Sequence, residues 1–76
     1  MTAKEAYNKY KKSRPQAKVV GLVEYPDYYW ISLAENDREG SDIVYKKTGE
    51  IGFAFIMEIL RYNENETRLI DISELE

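Results

Sequence analysis

The chain of 76 residues contains neither cysteine nor histidine. Without cysteine it can form no disulfide and no thiolate metal site. Without histidine it lacks the commonest general base and the commonest metal ligand. Because these absences close most routes to nucleophilic and zinc chemistry, we expect no enzyme activity, no metal and no cofactor.

Long apolar runs are also missing. No segment approaches the roughly 18 apolar residues that a membrane-spanning helix needs, and the charged N-terminus is unlike a secretory signal. We therefore expect a cytoplasmic protein with no membrane partner. The chain has no internal repeat and no low-complexity segment, so residues 1–76 are predicted to form a single domain.

The segment Asp42–Phe55 carries the clearest structural pattern. It holds two apolar runs, Ile43–Tyr45 and Ile51–Phe55, on either side of a turn at Lys46–Gly49. Glycine takes positive φ without a Cβ clash, so this pattern predicts a β-hairpin whose type I turn closes on a glycine bulge. A phosphate-binding loop is excluded, because in that motif a lysine follows the second glycine.

Residues 2–13 are predicted to form an amphipathic helix. Thr2 and Glu5 have the spacing of a capping box. Pro15 disfavours helical geometry in the residue before it and so ends the helix. One face of this helix carries Ala3, Ala6, Tyr7 and Tyr10.

Two segments rich in β-branched and aromatic residues follow, Lys18–Tyr25 and Tyr28–Ala34, and a turn at Pro26 joins them. We expect them to pair as antiparallel strands. Side chains alternate between the two faces of a strand, so Val19 and Val23 are predicted to share one face. In the second strand the same rule places Tyr29, Ile31 and Leu33 on one face and Tyr28, Trp30 and Ser32 on the other.

The segment Glu35–Asp42 has no large apolar residue and is predicted to be a solvated loop before a third strand, Ile43–Lys47. After Glu50 the apolar spacing fits a strand and a helix equally well. We favour a strand from Glu50 to Phe55 that passes into a helix through Tyr62. A last apolar patch, suited to docking a short terminal strand or turn, consists of Leu69, Ile70 and Ile72.

The predicted fold class is therefore α+β. An N-terminal helix packs on a three- to four-stranded antiparallel meander, and a short C-terminal helix stays open as an option.

The chain is rich in aromatic residues, with seven tyrosines, two phenylalanines and one tryptophan. Such residues fill small cores and also anchor interfaces. If the helix covers the face of Tyr29, then Tyr28 and Trp30 lie on the other side of the sheet. There they either meet the C-terminal segment or remain exposed as an anchor for another protein. Tyr28 and Trp30 are therefore candidate partner-binding residues.

Acidic residues of the predicted loop complete the candidate partner-binding set: Glu35, Asp37, Glu39 and Asp42. Carboxylates can ligate a hard cation such as calcium, yet the spacing does not match a calcium-binding helix–loop–helix motif. A solvated loop also offers no environment that separates the pKa values of an acid and a base. We favour an ordinary exposed loop over a metal site, and for an inhibitor of a basic partner these side chains would supply charge to the contact.

The net charge of −3 is unevenly distributed. Residues 1–18 hold six basic residues against Glu5 alone, so this segment carries +5 and the remainder −8. The basic residues could neutralise nucleic-acid phosphates, or they form the solvated face of a surface helix. We favour the solvated face, because an acidic chain repels nucleic acid beyond the patch. The six residues are Lys4, Lys9, Lys11, Lys12, Arg14 and Lys18.

A lone helix, two aromatic-rich strands and a Lys-Lys-Thr-Gly-Glu turn resemble the small helix-plus-meander domains found among PepSY-like proteins and bacterial immunity proteins. The resemblance covers residues 2–55 and implies an architecture and no catalytic residue. For an immunity-type protein it implies a stoichiometric inhibitor that occludes a partner's active site. The matching residues are Asp42, Tyr45, Lys47, Thr48, Gly49 and Glu50.

We therefore predict a small protein-binding module, either immunity-type or phage-encoded. Its expected partner is another protein or a second copy of the chain in a homodimer, and nucleic-acid association is the alternative.

Overall fold

The computed structural model describes residues 1–34, 39–59 and 66–76. Helix α1 (Ala3–Ser13) comes first, and the remaining elements follow in chain order. The α+β prediction is confirmed. The strands and the second helix are β1 (Val19–Glu24), β2 (Tyr28–Leu33), β3 (Gly40–Tyr45), β4 (Ile51–Phe55), α2 (Ile56–Ile59) and β5 (Arg68–Asp71), and a 3-10 helix spans Ile72–Glu74.

The strands form one sheet in the order β4-β3-β2-β1-β5, and every neighbouring pair is antiparallel. Strands β1 to β4 are the predicted meander. The apolar patch near the C-terminus supplies β5, in which Ile70 pairs with Leu22 of β1. The sheet therefore has five strands in the described residues, one more than the upper prediction, and β4 and β5 are its edges.

Helix α1 begins at a capping box, as predicted. The Thr2 Oγ1 accepts from the Glu5 N–H at 3.1 Å, and the Glu5 Oε1 accepts from the Thr2 N–H at 3.0 Å. This pair satisfies two N–H groups that have no partner within a helix. Ala6 and Tyr10 are fully buried against the sheet, so the predicted inward face of the helix is confirmed.

Each face of the sheet has its own buried cluster. The side chains on the helix-covered face are Ala6, Tyr10, Leu22, Tyr29, Ile31, Val44, Ile70 and Leu75. Those on the opposite face are Tyr25, Tyr28, Trp30, Ile43 and Ala54. The alternation predicted for β2 is therefore confirmed, because residues two apart point the same way from a strand.

The alternation predicted for β1 was wrong at Val19. The register between β1 and β2 shifts between Val19 and Gly21, so one extra residue lies on the β1 side. Such a bulge turns the preceding side chain to the other face. Val19 consequently packs against the helix-side cluster, and Val23 packs against the opposite one.

The boundaries of the hairpin β3–β4 differ from the prediction. Strand β3 begins at Gly40, so Asp42 lies within a strand and not in a solvated loop. Gly49 has φ of 74°, which confirms the positive φ predicted for the turn. The Gly49 N–H donates to the Tyr45 carbonyl, however, and this i to i+4 bond makes a longer turn than the predicted type I turn.

The chain changes from strand to helix at Ile56, as predicted, since β4 ends at Phe55. The predicted continuation of the helix to Tyr62 lies outside the described residues beyond Ile59.

Candidate protein-binding surface

Two phenylalanines mark the β4 edge of the sheet. In the register with β3, Phe53 lies opposite Asp42 and Phe55 lies opposite Gly40, so both rings are on the side of the sheet that carries α1. The helix packs mainly on β1 and β2, and Phe53 and Phe55 are not among the side chains of the helix-side cluster. The rings meet edge to face, with centroids 5.1 Å apart, and 38% of Phe53 and 51% of Phe55 is exposed.

The backbones of β3 and β4 approach each other closely at this corner of the sheet. A Cβ added at Gly40 would lie 2.1 Å from the carbonyl oxygen of Ala54. No side chain fits there without moving β4. One residue further on, the Ile56 N–H donates to the Glu39 carbonyl at 2.7 Å, which fixes the start of α2.

Helix α2 adds two more exposed apolar side chains to the corner. Ile56 is 46% exposed and Met57 is 76% exposed. A groove of about 560 Å³ lies here, and Glu39, Phe55, Ile56, Met57 and Glu58 line it. We call this set of five residues the β4–α2 groove. Several large apolar residues exposed side by side are uncommon on a monomeric domain and are typical of an interaction site.

The charge on the described lining of the groove is acidic. Glu39 and Glu58 are its only charged residues in the described part of the chain, and both carry carboxylates. A lining that combines apolar and charged side chains is compatible with a protein interface, in which polar groups accompany an apolar core.

The structure buries the predicted aromatic anchors. Tyr28 is 6% exposed and Trp30 is 7% exposed. Tyr28 packs between Tyr25, at 5.4 Å between ring centroids, and Tyr45, at 6.2 Å. The alternative in which both remain exposed was wrong, because both side chains belong to the buried cluster on the face opposite the helix. The other alternative, contact with the C-terminal segment, concerns a segment that lies partly outside the described residues.

The predicted acidic set is divided between different places. Glu35 and Asp37 lie outside the described residues. Glu39 reaches the β4–α2 groove. Asp42 is 8% exposed and accepts a hydrogen bond from the Tyr10 hydroxyl at 2.7 Å, with the Arg14 Nε at 3.6 Å. Asp42 therefore ties α1 to β3, and a partner does not reach it without displacing the helix.

The basic residues of the N-terminal segment are mostly solvated. Two of them make polar contacts with other residues of the described chain: the Lys11 ammonium donates to the Pro15 carbonyl at 3.2 Å and to the Ala17 carbonyl at 2.6 Å, and the Arg14 Nε lies 3.6 Å from Asp42. Lysine near the end of a helix commonly caps carbonyls in this way. The side chains that the structure leaves exposed are Lys4, Lys9, Lys12, Arg14 and Lys18.

A second polar cluster joins the two hairpins at the side of α1. The Lys46 ammonium donates to the Glu24 carboxylate at 2.9 Å and lies 5.0 Å from the Tyr29 ring centroid. This hydrogen bond lowers the pKa of Glu24. Burial raises the pKa of Tyr29, whose hydroxyl donates to the Met1 carbonyl at 3.1 Å. These contacts connect the β1–β2 hairpin to the β3–β4 hairpin and to Met1 at the start of the chain.

Within residues 1–34, 39–59 and 66–76, no three acidic side chains come together as a metal site. The same residues contain no helix long and apolar enough to cross a membrane. No protein-family model, curated protein or solved structure matches the chain, so the resemblance to PepSY-like domains and immunity proteins stays a prediction.

Sequence reasoning placed Phe55, Ile56 and Met57 in a transition from strand to helix and assigned them no contact with a partner. A signal was present, because the apolar run from Ile51 onward is longer than a single strand face or helix face can bury. What the sequence did not disclose is that β4 is an edge strand of the sheet.

Proposed function

We propose that this protein is a small, non-enzymatic protein-binding module that acts through the β4–α2 groove. The observation that carries the proposal is the exposure of Phe55, Ile56 and Met57 side by side around one groove. Removing their apolar surface from water is favourable by about 25 cal/mol per Å². Binding of a partner that covers the groove would be stabilised by this term.

The partner is expected to be basic and apolar at its point of contact. Glu39 and Glu58 line the groove, and the chain outside residues 1–18 carries a charge of −8. Complementary charge speeds the encounter and selects the partner more than it raises affinity. Apolar side chains from the partner would supply most of the affinity.

Occlusion is the mechanism that we propose for this contact. A rigid, acidic domain that seats on a basic site blocks access to it without any chemistry of its own. This is how an immunity-type or phage-encoded inhibitor would act, and the cytoplasmic location expected from the sequence belongs to the same proposal. Tyr28 and Trp30 then support the sheet from within and do not contact the partner.

Nucleic-acid association through α1 is the second candidate function. It rests on the exposed lysines Lys4, Lys9, Lys12 and Lys18, whereas Lys11 and Arg14 are engaged with the chain itself. Phosphate contacts would give an affinity that falls steeply with salt. A gel-shift experiment with labelled DNA and RNA at low salt tests it, and the absence of any shift would remove this candidate.

A capture experiment tests the primary proposal. Immobilised wild-type protein is compared with Met57→Glu and with Leu69→Glu. Met57 and Leu69 are both large, apolar and highly exposed, at 76% and 82%, so the two variants change similar surface to the same charge. Only Met57→Glu places that charge in the groove.

The proposal predicts that proteins held by the wild type are also held by Leu69→Glu and are lost from Met57→Glu. Each such protein is then purified and its affinity measured for all three forms. Equal capture by all three forms, or no captured protein at physiological salt, would count against the groove as the binding surface.

A further inference from the structure

Strand β5 offers a second interaction surface, distinct from the β4–α2 groove. It is the other edge strand of the sheet. Edge strands present backbone N–H and C=O groups that can pair with another chain. The hydrogen-bond pattern of β1 decides which groups of β5 point outward.

The hydrogen-bond pattern of β1 can be followed from its hairpin with β2. The Tyr25 N–H donates to the Tyr28 carbonyl, so the backbone N–H and C=O of Tyr25 point toward β2, and by alternation those of Val23 do so too. The backbone groups of Leu22 and Glu24 therefore point toward β5, where these residues pair with Ile70 and Arg68. It follows that Leu69 turns both its N–H and its C=O away from the sheet.

The side chain of Leu69 is equally uncovered. It is 82% exposed and lies beside Val20, the bulged residue of β1, which is 51% exposed. Both belong to a shallow groove of about 350 Å³ that also reaches Ser32 and Asp71. Within the described residues, an exposed backbone pair and an exposed apolar patch therefore coincide at Leu69.

We propose that two copies of this chain pair antiparallel through β5, with Leu69 of each copy opposite Leu69 of the other. Each Leu69 N–H would donate to the Leu69 carbonyl of the second copy, because an antiparallel hydrogen-bonded pair exchanges both bonds. The two-fold axis passes between the two leucines. The same patch of Val20 and Leu69 then meets itself, as a two-fold interface requires.

Charge favours this register. With Leu69 opposite Leu69, Arg68 lies opposite Ile70 of the second copy and Asp71 lies opposite Thr67, so no like charges face each other. A shift of the pairing by two residues would instead place Asp71 opposite Leu69 and bring a carboxylate onto the apolar patch. Directly opposed like charges and mismatched pairs weaken a sheet by a few tenths to about 1 kcal/mol each.

The dimer should be weak and should depend on concentration. Strand β5 has four residues, and stable interfaces bury about 1,200–2,000 Å². Pairing of so short an edge covers less than that. Self-association should consequently appear only at high protein concentration, and the groove on the opposite edge remains accessible in the dimer.

Sedimentation velocity over a concentration series tests the proposal. The wild type and Leu69→Ile should shift toward dimer as concentration rises, Leu69→Lys should remain monomeric, and Met57→Lys should behave as the wild type does. Amide hydrogen exchange at Leu69 should slow at the concentrations where the wild type and Leu69→Ile are dimeric, because the Leu69 N–H becomes paired.

A wild type that stays monomeric up to about 1 mM would overturn the proposal, since a dissociation constant of about 1 mM corresponds to an association free energy of only about 4 kcal/mol. Dimerisation of Leu69→Lys equal to that of the wild type would also overturn it. So would unchanged amide exchange at Leu69 in a dimer. Loss of dimerisation in Met57→Lys would assign self-association to the β4–α2 groove and would also overturn it. Since partner capture depends on Met57 and dimerisation on Leu69, failure of one proposal is distinguishable from failure of the other.

Discussion

The helix-covered face of the sheet and the β4–α2 groove lie on the same side of the sheet, yet they differ in almost every property. Under α1 the apolar side chains are sealed, with Ile31 fully buried. Hydrogen bonds from Tyr10 and Tyr29 connect the helix and the start of the chain to the sheet. At the groove the apolar side chains are exposed, and carboxylates line it beside them.

The difference separates stability from binding. A small domain has a stability of only about 5–15 kcal/mol, so it can spare little apolar surface from its core. This chain nevertheless leaves Ile56 and Met57 in water. We infer that the helix-covered face stabilises the fold and that the groove binds the partner.

The largest expected effect comes from a cavity under the helix. Ile31→Ala removes buried methylene groups at a position with 0% exposure, which should lower the free energy of unfolding by about 2–5 kcal/mol. Met57→Ala is the control, and it should change that free energy by less than about 0.5 kcal/mol, since surface substitutions rarely do more. Urea unfolding measures both. Equal destabilisation by the two variants would contradict the conclusion that the helix-covered face, and not the groove, stabilises the fold.

The buried hydroxyl of Tyr10 is expected to have the next largest effect. Tyr10→Phe removes the donor to Asp42 and leaves a carboxylate with less hydrogen bonding, which should cost about 1.5–3 kcal/mol. Tyr7→Phe is the matched control, because the Tyr7 hydroxyl makes only an exposed bond of 3.4 Å to Glu76. Thermal unfolding distinguishes them. A Tyr10→Phe variant as stable as Tyr7→Phe would show that the connection is unimportant.

A smaller effect is expected at the turn of the second hairpin. Gly49→Ala places a Cβ on a residue with φ of 74°, which should cost about 1–2 kcal/mol. Lys47→Ala, at an exposed position of the same turn, is the control and should be nearly neutral. Because the turn lies away from Met57, partner capture by the Gly49 variant should match that of the wild type at a temperature where both are folded.

The smallest effect should appear only in acid. The pKa of Glu24 is lowered in the folded protein, first by the hydrogen bond from Lys46. A lowered folded pKa means that this contribution to stability is fully present above the ordinary glutamate pKa of about 4.3 and is lost as pH falls through the folded value. The melting temperature of Glu24→Gln should therefore depend less on pH in this range than that of the wild type. A parallel pH dependence of the two would contradict the assignment.

Much of the fold followed from local patterns. The capping box at Thr2 and Glu5, the alternation in β2 and the positive φ of Gly49 are each set by neighbours in sequence, and each prediction was confirmed. Val19 was assigned to the wrong face because strict alternation was applied across Gly21, although a glycine inside a strand often marks a bulge. Asp42 was assigned to a loop because its partner, Tyr10, is distant in sequence.

The candidate surface was harder to predict for the same reason. Whether an apolar residue is core or surface depends on which strands lie at the edges, and strand order is a property of the whole sheet. Phe55 and Trp30 are both aromatic residues in strands. Trp30 lies on a central strand and is buried, whereas Phe55 lies on an edge strand and is half-exposed.

Chemical-shift mapping tests the central claim most directly. The isotopically labelled protein is titrated with a short amphipathic peptide of leucine and lysine, which carries the apolar and basic groups that the groove favours. The account predicts that the largest shifts occur at the amides of Glu39 and of Phe55 to Glu58, with little change under α1. Shifts confined to α1 or to Leu69, or no saturable shifts at all, would contradict it.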